Sequence, residues 1–109
     1  MRNGLYRVWL SGPQGRESGA LVFQDGVVFA VDRLYAFNGT YQEQAGRLTA
    51  EVTATRLLPD QLAINLPDMD TIHITASGPA NGEIAQLEAT IDGMPGVVLS
   101  YELAFLCEV

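Results

Sequence analysis

Few residues in this sequence are suited to catalysis: one histidine, one cysteine and a pair of aspartates. His73 stands between isoleucines, Cys107 lies near the end of the chain, and Asp68 and Asp70 are separated by one residue. A general base needs an orienting carboxylate and a positioned nucleophile. Asp70 is three residues from His73, so in a strand the two would point to opposite faces. We therefore interpret His73 as an outward-facing strand residue, and a His73–Cys107 dyad as requiring a coincidence of folding.

Two short segments could in principle bind a metal ion or a phosphate. Asp68 and Asp70 offer two carboxylates, but the segment lacks the glycine and terminal glutamate of a calcium loop. We interpret it as a solvated turn. The segment GPQG at 12–15 has neither the lysine nor the following helix of a phosphate-binding loop. The sequence therefore predicts no catalytic residue, no metal site and no cofactor.

Length and charge limit the class of protein. The chain has 109 residues, which predicts a single domain over residues 1–109. Its formal net charge is -7, and such a chain is repelled by phosphate backbones. We therefore expect no direct binding to nucleic acid. The acidic charge could suit a basic protein partner, but net charge is a better guide to solubility than to any one site.

The cellular compartment is predicted from the single cysteine and the apolar runs. Cys107 cannot form an intramolecular disulfide, which fits a reducing compartment, and we expect it to be a buried strand residue. The opening MRNGLYRVWLSG has no long apolar core of a secretory signal, and no run approaches eighteen apolar residues. The sequence predicts a cytoplasmic protein that does not enter a membrane.

Alternation of apolar and polar residues predicts an all-β protein. It is cleanest in RLTAEVTATR, where Leu48, Ala50, Val52 and Ala54 share one face. The dipeptide DG at 25–26 predicts a hairpin over residues 18–32. Short strands at regular spacing indicate a barrel or a sandwich, and sequential hairpins favour a single eight-stranded antiparallel up-and-down barrel, whose closure would hide both edge strands. The predicted strands lie near residues 4–11, 17–24, 27–32, 34–41, 47–56, 71–77, 83–91 and 96–109.

Two of these segments leave a choice between structures. The stretch 57–70 contains Pro59 and Pro67, which exclude a long helix, so we expect a loop with at most a short helical turn or a short strand. The stretch 83–91 is rich in residues that favour helices, but its alternation and the flanking turns favour a strand.

The last strand is predicted to be the longest, and it is apolar on both faces. A two-sided apolar strand is suited to an interface, so it supplies the candidate residues for a homodimer contact. The alternative is that one face is buried in the barrel wall and a loop covers the other. The candidate interface residues are Val98, Leu99, Tyr101, Leu103 and Phe105.

The interior of such a barrel could be filled or hollow. An eight-stranded barrel is just wide enough to be filled by side chains or to hold one small ligand. The inward alanines, Ala50 and Ala54 among them, would leave room for an apolar ligand or lipid, unless long side chains opposite fill the space. A ligand carrier is therefore an alternative function.

Several stretches resemble the GrlR-like family, the small negative regulators of type III secretion. They are the opening MRNGLYRVWLSG, the DG hairpin, the segment YAFNGTY and the strand LTAEVTATR. The resemblance covers most of the chain in order and is strongest over residues 3–56. It implies a lipocalin-like eight-stranded barrel, a homodimer, and a regulatory role by protein binding in which a transcriptional activator is sequestered.

The resemblance also assigns a position to the partner contact. In the founding type of the family, an acidic turn after the strand that holds the G-x-Y pattern contacts the activator. Here that turn falls on Glu43, Gln44, Ala45 and Gly46, of which only Glu43 is acidic. The remaining residues are ordinary hairpin residues, with Gly46 free to adopt a positive φ. We therefore expect this turn to be a connector rather than a contact site.

Overall fold

The computed structural model describes residues 1–109 and contains eight β-strands and no helix. Each strand pairs antiparallel with the next, and the last pairs with the first, so the sheet closes into an up-and-down barrel. The predicted fold class is therefore confirmed. The strands are β1 (Gly4–Gly12), β2 (Gly15–Gln24), β3 (Val27–Val31), β4 (Tyr35–Gln44), β5 (Arg47–Arg56), β6 (Thr71–Pro79), β7 (Ile84–Ile91) and β8 (Val98–Cys107).

The ambiguous segments adopt the predicted states. The stretch 83–91 forms β7, and residues 57–70 form a loop without helix or strand. The last strand is shorter than predicted: β8 has 10 residues, the same length as β2, β4 and β5. With no helix in the fold, none is available to cross a membrane.

Alternation along the strands determines which side chains form the core. In β6 the buried residues are Ile72, Ile74, Ala76 and Gly78, and in β7 every second side chain from Ala85 to Ile91 is buried. This period of two is the geometry of a pleated strand with one face inside and one face in water. The core is therefore the inner face of the barrel, as the alternation predicts.

The two ends of the barrel are filled differently. The aromatic end holds the turns at 25–26 and 45–46, the connection 80–83 and both chain termini; the loop end holds the other four connections, including the 57–70 loop. Ring centroids at the aromatic end lie 5.0 Å apart for Tyr6 and Phe23, 5.5 Å for Tyr6 and Phe105, and 4.4 Å for Phe23 and Tyr41, in edge-to-face contacts. These rings close that end of the barrel.

The prediction that Cys107 is buried is wrong. The residue is exposed, and the cause is a β-bulge in β8. Tyr6 pairs with Phe105, but Leu5 pairs with Cys107, so Leu106 is the extra residue on β8. Strict alternation from the inward Phe105 would have turned Cys107 inward as well. The extra residue reverses the alternation, and Cys107 takes the outward position opposite Leu5.

Arg56 fastens the 57–70 loop at its base. The Arg56 guanidinium donates to the Asp68 carboxylate at 2.6 Å and lies 3.3 Å from the Asp70 carboxylate. The Arg56 backbone N–H also donates to the Asp70 carbonyl at 2.8 Å. Asp68 and Asp70 thus stay exposed, as predicted for a solvated turn, but both face an arginine that is only 5% exposed.

Asn65 fastens the middle of the same loop across the end of the barrel. Its side-chain carbonyl accepts from the Gln14 backbone N–H at 3.1 Å, and its amide donates to the Gly15 carbonyl at 3.0 Å. The Asn65 side chain is buried, and these two contacts supply the hydrogen bonds that a buried amide needs. A Cβ on Gly12 would lie 2.4 Å from the Asn65 Oδ1, so the glycine makes room for this contact.

Gly39 permits the close approach of β4 and β5. A Cβ at this position would lie 1.9 Å from the Glu51 carbonyl oxygen and 2.8 Å from the Val52 Cα, both backbone atoms. Strand glycines commonly mark such sharp bends in small barrels. Any side chain at this position would force the two strands apart.

We expect Gly39→Ala to lower the free energy of unfolding by about 2–4 kcal/mol, because the clash is with backbone that cannot rotate away. Urea unfolding followed by far-UV circular dichroism measures the loss. The matched control is Gly19→Ala, since a Cβ at Gly19 meets nothing within 4 Å. Equal stability of the two variants would contradict the role assigned to Gly39.

Candidate functional site

The barrel wall has a gap between β2 and β3. The predicted hairpin over residues 18–32 forms, but its pairing covers only three residue pairs and ends at Val22 and Phe29. Residues 16–21 of β2 pair with β1 alone. On the other side of the gap, β3 ends at Val31 and the chain turns through residues 32–34 into β4. The interior is therefore accessible from the loop end of the barrel.

An apolar cavity of about 230 Å³ lies inside this gap. Nineteen of its 23 lining residues are hydrophobic, which makes the space poorly suited to water and well suited to an apolar group. The cavity exists because small residues occupy inner positions on four different strands. These are Gly19, Ala30, Ala50 and Ala76.

The 57–70 loop covers part of the cavity. Ala63 and Leu66 line it and pack against the core. Other apolar side chains of the loop, Leu62 and Ile64 among them, are exposed to solvent. The loop therefore contributes both to the wall of the cavity and to the surface around the opening.

Glu17 brings a charge to the inner face of the barrel. The register pairs Glu17 with Leu10 of β1 and Leu10 with Tyr101 of β8, so the three side chains form one inward row across adjacent strands. Glu17 is half-buried and lines the cavity. Glu17 is not one of the carboxylates that form ion pairs with arginines.

Tyr101 adds a hydroxyl to the same row. The hydroxyls of Tyr6 and Tyr35 hydrogen-bond to backbone carbonyls, whereas that of Tyr101 has no protein partner. Burial raises the pKa of Tyr101 to about 12, and the negative charge of Glu17 adds to the shift. The phenol is thus neutral at physiological pH and can donate or accept one hydrogen bond within the cavity.

The predicted interface residues of β8 mostly face the interior. Leu99 and Leu103 are buried in the core, and Tyr101 and Phe105 share their inward face. The alternation of side chains along β8 explains this placement. It corresponds to the alternative prediction for this strand, in which one face is buried in the barrel wall. Among the five candidates, Val98 alone lies on the outer surface, at 49% exposure.

The turn that aligns with the acidic contact of the family is a tight hairpin at the aromatic end. Ala45 and Gly46 have φ values of 54° and 75°, the backbone of a type I′ turn. The expected positive φ of Gly46 is confirmed. Glu43 contacts the amino group of Met1, and Gln44 is exposed. Because consecutive turns alternate between ends, this turn and the cavity opening lie at opposite ends of the barrel.

The residues first considered for catalysis are kept apart. His73 points outward near the loop end, with its Nδ1 3.3 Å from the Thr53 hydroxyl, whereas Cys107 lies at the aromatic end. His73 is thus the outward strand residue that alternation predicts. No group of three or more histidine, cysteine or carboxylate side chains is arranged to bind a metal ion.

The fold and the site together define a closed antiparallel barrel with an apolar interior cavity. Comparison of the chain with protein-family models gives no match, and comparison with curated proteins gives none either.

Sequence reasoning missed Glu17, although the signal was present. In the segment ESGALVF, Glu17 lies on the same face as Gly19, Leu21 and Phe23. The last two are apolar, so the alternation places an acid on the inner face. The second residue of the site, Tyr101, was predicted as a candidate homodimer contact, with burial of one face of the strand in the barrel wall as the alternative.

The two tyrosines should respond differently to loss of the hydroxyl. The Tyr6 hydroxyl donates to the Arg2 carbonyl and lies 3.1 Å from the Gly82 carbonyl oxygen. We expect Tyr6→Phe to lower the free energy of unfolding by roughly 1–2 kcal/mol, because it removes a buried hydrogen bond. Tyr101→Phe should change it by less than about 0.5 kcal/mol, because no protein partner is lost. Urea unfolding compares them, and a larger loss for Tyr101→Phe would contradict the assignment.

Proposed function

We propose that this chain is a non-enzymatic binding protein whose barrel encloses a small, mainly apolar molecule. The observation that carries the proposal is the 230 Å³ cavity with its hydrophobic lining and its opening through the barrel wall. A close-packed domain of this size has few voids larger than a water molecule. A hollow interior in which small side chains from four strands converge is the arrangement of a ligand site rather than a packing defect.

The volume limits the size of the ligand. An engineered apolar cavity of about 150 Å³ binds benzene, and one water molecule in the liquid occupies about 30 Å³. A cavity of 230 Å³ therefore holds roughly eight non-hydrogen atoms. An alkyl chain of about eight carbons, or one substituted aromatic ring, matches this space.

Burial of such a chain provides enough free energy for measurable affinity. Each buried methylene contributes about 0.8 kcal/mol, so an octyl chain gains about 6 kcal/mol before the entropy cost of association. Since 6 kcal/mol corresponds to about 40 µM, the dissociation constant should then lie between about 1 mM and 40 µM.

We expect octan-1-ol to bind the wild-type chain and Gly19→Leu to weaken binding at least about tenfold, because the new side chain enters the cavity from β2. A Cβ at Gly19 meets nothing within 4 Å, so the variant should remain folded. Isothermal titration calorimetry measures the affinity. Gly19→Ala is the control, since one methyl group leaves most of the volume free. Equal binding by wild type and Gly19→Leu would place the ligand outside the cavity.

Regulation by protein binding is the second candidate function. It is favoured by an uncharged outer surface on β2, β3 and β4, here called the neutral face. Along Ser18–Gln24, Val27–Val31 and Ala36–Gln44, no outward side chain is charged. Val27, Phe29 and Val31 are exposed large apolar residues on it. Exposed apolar patches of this kind mark interaction sites.

The occupant that suits the neutral face is a second copy of this chain. Two copies with a net charge of -7 each repel one another, and a surface without acids keeps this repulsion low at a close contact. The resemblance to GrlR-like regulators supports the same dimer and adds a role in sequestering a transcriptional activator. The exposed, unpaired thiol of Cys107 supports a reducing, cytoplasmic location.

We expect light scattering after size exclusion to give twice the 11.8 kDa chain mass for the wild type, and the single mass for Phe29→Glu. The substitution would place two like charges against each other at a self-complementary interface. Thr90→Glu adds the same charge to an exposed position on β7 and should remain dimeric. A monomeric wild type at high concentration would exclude the dimer.

A further inference from the structure

The charges around the cavity have one sign. Two ionisable acids, Glu17 and Asp32, line it, and no basic residue does. Asp32 is committed to the turn before β4, where its Oδ1 accepts the backbone N–H groups of Leu34 and Tyr35, each at 2.7 Å. Glu17 has no such partner. It is the one carboxylate on the inner wall that is left without a hydrogen-bond donor or a cation.

Two arginines on β1 and β2, Arg7 and Arg16, are directed away from Glu17. Arg16 precedes it in β2 and therefore points to the outer face, where its guanidinium lies 4.4 Å from the Trp9 ring centroid. Its Nη2 lies 3.4 Å from the Glu102 carboxylate. The Arg7 guanidinium also lies near this ring, 4.9 Å from its centroid. Both cations are engaged with Trp9 on the outside of the barrel.

The half-buried Glu17 carboxylate has no protein donor, so it is free to accept a hydrogen bond from a ligand in the cavity. The hydroxyl of Tyr101, in the same inward row two strands away, is also unpartnered and neutral. Two polar groups without protein partners thus stand beside a mainly apolar space. Together they can accept hydrogen bonds from one head group while the alanine-lined part of the cavity holds its tail.

We propose that the cavity selects apolar molecules that carry a primary amine or another cationic, hydrogen-bond-donating head group, and that it disfavours carboxylates. The inference rests on the proposed ligand-binding function and specifies its ligand class. The ammonium group would bind the Glu17 carboxylate and the Tyr101 hydroxyl. A carboxylate in the same place would face Glu17 with like charge and without a basic residue to compensate it.

Three probes with the same tail separate the head group from the cavity: octan-1-amine, octan-1-ol and octanoate. We expect the amine to bind about ten to one hundredfold more tightly than the alcohol, as a charge-assisted hydrogen bond adds to the apolar contact. Octanoate should bind more weakly than the alcohol. Calorimetry on the full chain at pH 7 in 0.15 M salt measures the affinities. The salt screens the general attraction of a cation to an acidic protein.

Glu17→Gln tests the residue directly. It keeps the shape of the side chain and should remove the advantage of the amine, reducing its affinity to about that of the alcohol. The matched control is Glu51→Gln, which removes the same charge from an exposed position on the outer face of β5 and should preserve the tenfold or greater preference. Tyr101→Phe provides a second variant and should weaken amine binding several-fold.

The outcomes distinguish this inference from the function on which it rests. Binding of octan-1-ol without a preference for the amine, tighter binding of octanoate, or an unchanged preference in Glu17→Gln would overturn the head-group selectivity and leave the ligand-binding function intact. An equal loss of preference in Glu51→Gln would trace it to net charge and overturn the role of Glu17. Failure of all three probes to bind would overturn both.

Discussion

Pairing of β1 with β8 converts an eight-stranded sheet into a barrel with an inside and an outside. Closure satisfies the backbone groups that the first and last strands would otherwise expose. It also requires strong curvature from a short chain. Gly39 and Gly78 provide it, since a Cβ at either position would lie 1.9 Å from a backbone carbonyl oxygen on the neighbouring strand. The bulge at Leu106 belongs to the same closure, and the exposure of Cys107 is its consequence.

The closure is incomplete at one place, and the candidate function depends on that place. Pairing between β2 and β3 stops after Val22 and Phe29, which leaves half of β2 with a single neighbour. A fully paired wall would enclose a filled core, as at the aromatic end, where Tyr6, Phe23 and Tyr41 pack against one another. Where the wall opens, small inner residues leave a cavity instead. The same barrel thus combines a rigid, packed end with an end that can admit a ligand.

The separation of the two ends has consequences for function. The turn at Ala45 and Gly46 is a tight connector beside the packed aromatic rings, and the cavity opens at the other end. The uncharged outer surface of β3 lies on the barrel wall between them. Ser18, Ala20 and Val31 belong to the neutral face and also line the cavity at the gap. Protein contact through the neutral face would therefore cover the gap through which a ligand enters, so the two candidate functions share one surface.

The sequence by itself determined the strands, their inward and outward faces and the order of hairpins, because alternation and turn chemistry are local properties of the backbone. Leu48, Ala50 and Ala54 lie where their alternation indicates. The tertiary structure alone decided the gap beside β2, the reversal at Cys107 and the meeting of Glu17 with Tyr101 in one cavity. These features depend on the register between strands far apart in the chain. A bulge or an early end to pairing changes that register without any change in the local pattern.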